Sequence, residues 1–321
     1  MDFFKATFNT VSVLILMMGI GFFVAGKDWF KKNNGSTILS KLVVNIIIPM
    51  NLLHKIITAY SSPKEMLELV SGIPIPFISI GAMFLVAFIV AKSAKISLHR
   101  QGVFMNAAAM SNTVLVGIAV IEPLLGAETA PFSLIYYMIN TIFFWTLGTY
   151  LIRKDGGDNS KLFSLASLKK ILSAPPFMAF LIGIFLVFTV IKVPYIIEDT
   201  LSRIAGCATP LSMVFIGSII RSVPLKEYKL NKDFVMVFVS RFLISPLVMT
   251  ALCLVAPIPV LMKQTFFLMS CMPVMTQCGI MSKEYEADYK FASLMVASTT
   301  AACMLLVPLY IYLLKAIQIF G

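Results

Sequence analysis

Charged residues are scarce in this chain, and acidic residues are scarcer than basic ones. Of 321 residues, 26 are Lys or Arg, 15 are Asp or Glu, and 59% are hydrophobic. This composition leaves too few polar side chains to cover the surface of a soluble domain. The chain has only two histidines, and no HExxH, GxSxG or Ser/His arrangement falls within its apolar segments. Nothing in the pattern therefore indicates an enzyme.

Cysteine is also sparse, and its spacing excludes the usual metal and redox motifs. The five cysteines form no CxxC pair and no Cys/His cluster, and all five fall within segments that we predict to be helical. We interpret them as small apolar packing residues. The sequence predicts no metal site and no cofactor.

Long apolar segments dominate what is present. A helix needs about 20 apolar residues to cross a bilayer, and ten segments meet this length at roughly 8–26, 37–57, 73–91, 103–121, 131–152, 174–191, 204–220, 234–256, 264–282 and 291–314. Most Lys and Arg residues lie in every second loop, which predicts that both termini face outward across the cell membrane. The basic loops are expected to meet lipid headgroups rather than nucleic acid.

The longest polar stretch divides the segments into two equal sets. Residues 153–173 contain Gly156, Gly157 and several Asp and Asn residues, which is typical of a flexible linker. Five segments precede it within residues 1–152, and five follow within 174–321. If both halves share one fold, an odd number of crossings turns the second half upside down. The sequence therefore predicts an all-α polytopic protein of ten transmembrane helices, built as two inverted five-helix repeats.

Two prolines occupy matching places in the two halves. Pro49 lies within segment 2, two residues before Asn51, and Pro210 lies within segment 7, two residues before Ser212. Proline inside a helix removes a hydrogen bond and bends or breaks it. The simpler interpretation is a packing kink without a role in binding, but the matching positions favour a functional break.

Segments 4 and 9 are the least apolar interior segments. Several consecutive polar side chains are costly at membrane depth unless they face a cavity or satisfy freed backbone groups, and a nearby Pro or Gly permits local unwinding. The alternative is that the polar groups join neighbouring helices by hydrogen bonds. The polar candidates are Ser111, Asn112, Thr113, Thr276 and Gln277, and the candidate breakers are Gly117, Pro273 and Gly279.

Two ionisable residues lie within predicted segments. Arg241 lies about two turns inside segment 8, and we expect its side chain to extend to the cytoplasmic interface. The alternative is a role in the path of an anion. His54 lies toward the outer end of segment 2 and titrates near neutral pH, so it is either an interfacial residue or a proton carrier.

These residues resemble the auxin efflux carrier family. Residues Ser111–Ile118 resemble that family's fourth-helix signature, while Ser282–Tyr285, Ala292-Ser293 and Ser298-Thr299 resemble its ninth and tenth helices. The stretches around Pro49 and Pro210 also fit, so the similarity covers essentially the whole chain. The chain departs from the family pattern at Val114, where glycine is frequent, and at Ala119, where proline is frequent.

The resemblance implies a secondary transporter whose fourth and ninth helices break and cross, with the substrate bound at the crossing. Bacterial members of similar sequence are described as carriers of malate, malonate and related carboxylates. The resemblance also implies a homodimer in a bacterial membrane and leaves H⁺ or Na⁺ as possible coupling ions. The alternatives are a sodium-coupled organic-anion symporter with the fold of the bile-acid symporters, and a membrane sensor that does not transport. The implied substrate ligands are Asn112, Thr113, Ser111, Thr276, Gln277, Asn51 and Ser212.

Overall fold

The computed structural model describes residues 2–59, 69–158, 173, 175–221, 231–316 and 320. Within them the chain is helical, and the one isolated pairing of extended backbone joins Ser111 to Val274. Most of the linker predicted at 153–173 lies outside the described residues.

The first half of the chain contains nine helices in the described residues. They are α1 (Asp2–Ala25), α2 (Asp28–Lys32), α3 (Gly35–Leu42), α4 (Ile48–Ala59), α5 (Pro74–Ser93), α6 (Gln101–Ala109), α7 (Ala119–Leu125), α8 (Ala130–Phe143) and α9 (Thr149–Asp155).

The second half contains eight helices in the described residues. They are α10 (Pro175–Thr189), α11 (Tyr195–Ala205), α12 (Ala208–Arg221), α13 (Lys232–Val239), α14 (Ser245–Val255), α15 (Val260–Ser270), α16 (Thr276–Glu284) and α17 (Tyr289–Ala316).

Among the described residues, five continuous helical stretches are long and apolar enough to cross a membrane, and a bent sixth runs from Tyr289 to Leu314. Three shorter apolar helices lie at Ser12–Ala25, Thr113–Leu125 and Pro175–Thr189. The prediction of a polytopic helical membrane protein is confirmed, whereas the count of ten crossings and the inverted repeat stay predictions. The five stretches are Gly35–Thr58, Val70–Ser93, Ala127–Asp155, Tyr195–Arg221 and Lys232–Val255.

Short π-helical turns interrupt several of these helices. The turns are Val43–Ile47, Thr113–Ile118, Phe144–Gly148 and Ser240–Ile244. The last one ends just before Pro246, which has no N–H to offer the carbonyl of Phe242 four residues earlier. The hydroxyl of Tyr310 donates to that carbonyl at 2.5 Å instead. The local sequence thus creates an unpaired acceptor, and a distant side chain satisfies it.

The chain forms two compact units, each assembled from both halves of the sequence. The first unit comprises residues 1–73, 114–135 and 172–222. In it α1 packs along α12, and α4 packs against α10 and α11. The contact between α1 and α12 is close because Gly21 lies against the backbone of Val214 and Gly217 lies against the backbone of Met18.

The second unit comprises residues 74–113, 136–171 and 223–321. In it α6 packs against α5 and α9, and α16 packs against α17. Gly102 of α6 lies against the backbone of Leu151, which brings the start of α6 close to α9. All the contacts of the candidate site described below belong to this second unit.

Candidate functional site

Segments 4 and 9 are both interrupted, as predicted. The first ends as α6 at Ala109 and continues through extended backbone at Met110. The second ends as α15 at Ser270 and resumes as α16 at Thr276. Residues 110–113 and 271–276 are called the crossing from here on.

The two interrupted stretches bond to each other through their backbones. The N–H of Asn112 donates to the carbonyl of Pro273 at 2.8 Å, and the N–H of Met275 donates to the carbonyl of Met110 at 3.2 Å. These bonds surround the antiparallel pairing of Ser111 with Val274. Unwound backbone inside a membrane protein must find hydrogen-bond partners for its polar groups within the protein. Here each broken helix supplies partners for backbone groups of the other.

Asn112 joins the two interrupted stretches through its side chain. Its Nδ2 donates to Oγ1 of Thr276 at 2.8 Å, and its side chain is only 5% exposed. Ser111 and Thr113 are buried beside it, while Gln277 follows on the first turn of α16 and is half-buried. The structure therefore brings Asn112 of segment 4 into contact with Thr276 of segment 9, and the role of all five residues in substrate binding stays a prediction.

Asn140 of α8, which was not among the predicted site residues, bonds the backbone of the crossing. Its Oδ1 accepts from the N–H of Ser111 at 3.2 Å, and its Nδ2 donates to the carbonyl of Ser111 at 3.0 Å. A side-chain amide that pairs with both backbone groups of one residue replaces the helical bonds lost at the break. The only sequence signal was a lone amide within a largely apolar segment.

Asn140→Leu is expected to lower the stability of the protein markedly, because it leaves the N–H of Ser111 buried without its partner and leaves the Ser111 carbonyl with only the N–H of Thr113, at 3.0 Å. Each unsatisfied buried group costs about 1–3 kcal/mol. The melting temperature of the detergent-purified protein should fall by several degrees. The control is Thr146→Val on the same span, since the Thr146 hydroxyl bonds only within its own helix, at 2.6 Å to the carbonyl of Ile142. Equal melting temperatures for both variants would contradict the role of Asn140.

A second missed contact supports the other side of the crossing. The N–H of Val274 donates to Oγ1 of Thr299 at 3.0 Å, and that hydroxyl donates to the carbonyl of Met295 at 2.5 Å within α17. Thr299 belongs to the Ser-Thr pair that carried part of the family resemblance. In the structure Thr299 satisfies unwound backbone, whereas the hydroxyl of Ser298 bonds the carbonyl of Leu294 within α17.

Arg241 does not extend to an interface, so that expectation is wrong. Its side chain is 0% exposed, and Nη2 donates to the carbonyl of Ser270 at 2.5 Å and to Oγ of Ser245 at 2.7 Å. Nη1 donates to the carbonyl of Ala108 at 3.3 Å. The sequence indicates the depth of Arg241 along its helix but not the face on which it lies, and the side chain faces the protein interior.

The start of α6 is fixed as firmly as its end. The carboxylate of Asp155 accepts from the N–H of Gly102 at 2.9 Å and of Val103 at 2.8 Å, which caps the helix. Arg100 just before it donates to Asp233 at 2.8 Å and to Asp288 at 2.7 Å. Burial lowers the pKa of the Arg100 guanidinium, but these two bonds outweigh burial and raise the pKa above its usual value. Arg100 therefore stays charged and ties α6 to the starts of α13 and α17.

Several predicted residues lie in the first unit. Asn51 and Ser212 are buried, and Asn51 Nδ2 and Ser212 Oγ have no hydrogen-bond partner among the described residues. The same holds for Nδ1 of His54, whose side chain is half-buried on α4. Their roles in substrate or proton binding stay predictions.

The helix breaks need correction at several predicted positions. Pro49 is the second residue of α4, which follows the π-helical turn Val43–Ile47, but Pro210 lies in the first turn of α12, after a break at Gly206 and Cys207. Proline is tolerated there because the first helical N–H groups have no partner within the helix. Pro273 lies within the crossing, as predicted.

Two glycines and two cysteines also differ from expectation. Gly117 lies inside the π-helical turn Thr113–Ile118 and Gly279 lies inside α16, so neither glycine forms the break. The polar and extended residues before them do so. Cys207 and Cys271 lie in turns rather than in helices, and Cys207 is exposed.

A helical membrane protein with two interrupted helices that pair at their breaks has the architecture of a membrane transporter. The comparison of the sequence with known families agrees. The chain belongs to the family described as membrane transport protein, the auxin efflux carrier family, which matches residues 6–311. It is also similar to an uncharacterized transporter of Methanothermobacter thermautotrophicus, with 26% identity over 312 residues that cover 97% of this chain and 99% of that protein.

Proposed function

We propose that this protein is a secondary active carrier that moves small organic anions, such as malate, malonate or related carboxylates, across the cell membrane by alternating access. The substrate binds at the crossing, where Asn112, Thr113, Thr276 and Gln277 supply polar groups. The ten-helix inverted repeat and the homodimer implied by the family resemblance belong to the same proposal.

The observation that carries the proposal is the positive charge of Arg241, which bonds the carbonyls of Ala108 and Ser270 next to the crossing. Arg241 is fully buried and bonded only to neutral oxygens, and no carboxylate among the described residues forms an ion pair with it. A buried charge without a counter-charge is costly. An anion bound nearby recovers part of that cost, whereas a cation increases it.

The helix ends add to the same preference. The N-terminus of α16 carries unpaired N–H groups and a partial positive charge, and its capping residue Met275 has no side-chain group that bonds them. One such end contributes about 0.3–2 kcal/mol to a bound anion, whereas desolvating a carboxylate costs several. Side-chain donors must supply the difference.

Asn112 and Thr276 suit that task. The amide of Asn112 uses one N–H for Thr276, which leaves its second N–H. Because Thr276 accepts that bond, its own hydroxyl hydrogen is free to point at a ligand. A donor that is already polarised by another hydrogen bond is a stronger donor. The pair can therefore bind one carboxylate oxygen each.

Energetics also limit how such a carrier operates. Moving one negative charge inward against about 100 mV, inside negative, costs about 2.3 kcal/mol, which is about fifty-fold in concentration. Uptake of a dicarboxylate thus requires coupling to a cation or exchange for another anion, whereas efflux requires neither.

The test is a thermal-shift screen of the purified full-length chain with malate, malonate, lactate, indole acetate and a bile acid. A ligand at about 100 times its dissociation constant stabilises the native state by about 2.7 kcal/mol. We expect a rise in melting temperature with at least one small carboxylate and none with the neutral ester dimethyl malonate, which keeps the carbon chain without the charge. Stabilisation by the ester alone would contradict an anion site.

Proteoliposome counterflow with the stabilising acid then separates a carrier from a sensor. A carrier exchanges labelled external acid for unlabelled internal acid, and a sensor binds the acid without exchange. Binding without counterflow would therefore replace the proposed carrier with the sensor.

A further inference from the structure

The buried arginine lies between the ends of two broken helices. Its Nη1 donates to the carbonyl of Ala108 in the last turn of α6, and its Nη2 donates to the carbonyl of Ser270, the last residue of α15. Both acceptors belong to the groups that a helix leaves unpaired at its C-terminus. One guanidinium thus joins the carbonyl ends of both interrupted segments.

These ends attract cations by their nature. The C-terminus of a helix carries a partial negative charge, and two such ends meet at Arg241. In secondary transporters, the C-terminal ends of half-helices and their unwound carbonyls are the groups that coordinate a coupling sodium ion or proton. In this chain the positively charged guanidinium of Arg241 already bonds the carbonyls at both helix ends.

The surroundings fit a fixed cation better than a direct substrate ligand. The side chain of Arg241 is 0% exposed, and the hydroxyl of Ser245 both accepts from Nη2 at 2.7 Å and donates to the carbonyl of Ser270 at 3.1 Å. Nη2 of Arg241, Oγ of Ser245 and the carbonyl of Ser270 therefore bond one another at the α15 end, while Nε of Arg241 has no hydrogen-bond partner among the described residues. Among the described residues, no group of three or more His, Cys, Asp or Glu side chains could hold a metal ion.

We propose that Arg241 is a built-in cation of the crossing, which takes the place of a coupling sodium ion between the ends of α6 and α15. The crossing then stays joined without sodium, and transport by this protein does not depend on sodium. The transport part of this inference rests on the proposed function, whereas the part concerning stability does not.

The first experiment uses sodium alone as the probe and needs no substrate. The melting temperature of the purified wild type is measured in NaCl, KCl and choline chloride at equal ionic strength. We expect the three values to agree within about 1 °C, because no site is left for a sodium ion to stabilise. A rise that is specific to sodium and saturates with its concentration would overturn the proposal.

The second experiment removes the built-in cation. Arg241→Ala leaves the two carbonyl ends and Ser245 around a cavity, and the melting temperature should fall by roughly 6 °C or more, since loss of a buried charged partner is among the larger single effects. Low concentrations of guanidinium chloride or of sodium chloride should restore part of the lost melting temperature, and choline chloride should not. Arg241→Lys keeps a cation at the site and should lose about half as much.

Arg203→Ala is the matched control, because Arg203 is exposed and bonds only Asp199 one turn away on its own helix. Its melting temperature should stay near that of the wild type in every salt. Arg241→Met, which is apolar and similar in length, tests the charge itself. If Arg241→Met is as stable as the wild type, the crossing needs no cation and the proposal is wrong. That comparison and the wild-type sodium series remain decisive even if Arg241→Ala does not fold.

Failure of this inference differs from failure of the proposed function. A sodium-specific shift together with carboxylate counterflow would indicate a sodium-coupled carrier, in which only the role of Arg241 is wrong. An absent counterflow with unchanged salt behaviour would remove the carrier and leave the role of Arg241 in the crossing intact.

Discussion

Asn112→Leu is expected to abolish counterflow of the transported acid, with a loss of at least about a hundred-fold in rate. The change removes the amide that bonds Thr276 at 2.8 Å and that is proposed to bind the substrate. Leucine has the same number and branching of side-chain heavy atoms, and the backbone bond from the N–H of Asn112 to Pro273 does not depend on the side chain. A lost hydrogen bond to a charged group costs about 1.5–3 kcal/mol, and a buried carboxylate left without its donor costs more.

Two further variants make this result specific. Asn33→Leu is the control for the substitution itself, because Asn33 is exposed and its amide bonds only the carbonyl of Trp29 in the preceding turn. Its counterflow should match the wild type. Asn112→Asp keeps the shape of asparagine and adds a negative charge, so it should also abolish transport of an anion. Counterflow that survives in Asn112→Leu would remove Asn112 from the binding site.

Parts of the site were predictable because their signals are local. Three consecutive polar residues from Ser111 to Thr113 cannot remain in a regular membrane helix without partners, and Pro273 cannot donate a helical bond. Both features lie within a few residues of the breaks they cause. The all-helical architecture was predictable for the same reason, since the length and apolar character of a segment are properties of the segment itself.

The partners of the crossing were not predictable, because they come from helices far away in the sequence. Asn140 lies 29 residues from Ser111, and Arg241 lies 133 residues from Ala108. A single sequence shows that Arg241 lies about two turns inside a helix, but a residue at that depth can face either lipid or protein. The packing of the helices decides which face of a helix lies against protein. Here it places the Arg241 side chain in the protein interior, where the sequence had suggested the membrane interface.

Two glycines of α1 also show that the contacts between helices cannot be derived from a single sequence. Gly19 and Gly21 are two residues apart on α1, and nothing in the sequence distinguishes them. A Cβ at Gly19 would meet no atom within 4 Å, whereas a Cβ at Gly21 would collide with the backbone of Val214 on α12. The close approach on which the α1 and α12 pair depends thus rests on one of two similar glycines.

Gly21→Leu is therefore expected to prevent the first unit from assembling, while Gly19→Leu has little effect. Lipid tails are as apolar as leucine, so membrane helices associate through close packing rather than through the hydrophobic effect. A side chain at Gly21 must push α1 away from α12 by several ångströms, since a backbone cannot move aside as a flexible side chain does. Gly217 lies against the backbone of Met18 in the same pair, so the contact cannot re-form by sliding.

The measurement is size-exclusion chromatography of fluorescently tagged protein in detergent, followed by thermal melting of any monodisperse fraction. Gly21→Leu should give an aggregated or absent peak, and Gly19→Leu a peak like that of the wild type. Gly21→Ala provides the graded case, with a smaller side chain against the same backbone and a lowered melting temperature. If both leucine variants behave alike, the two helices do not depend on the approach at Gly21, and the packing of the first unit must rest on its other contacts.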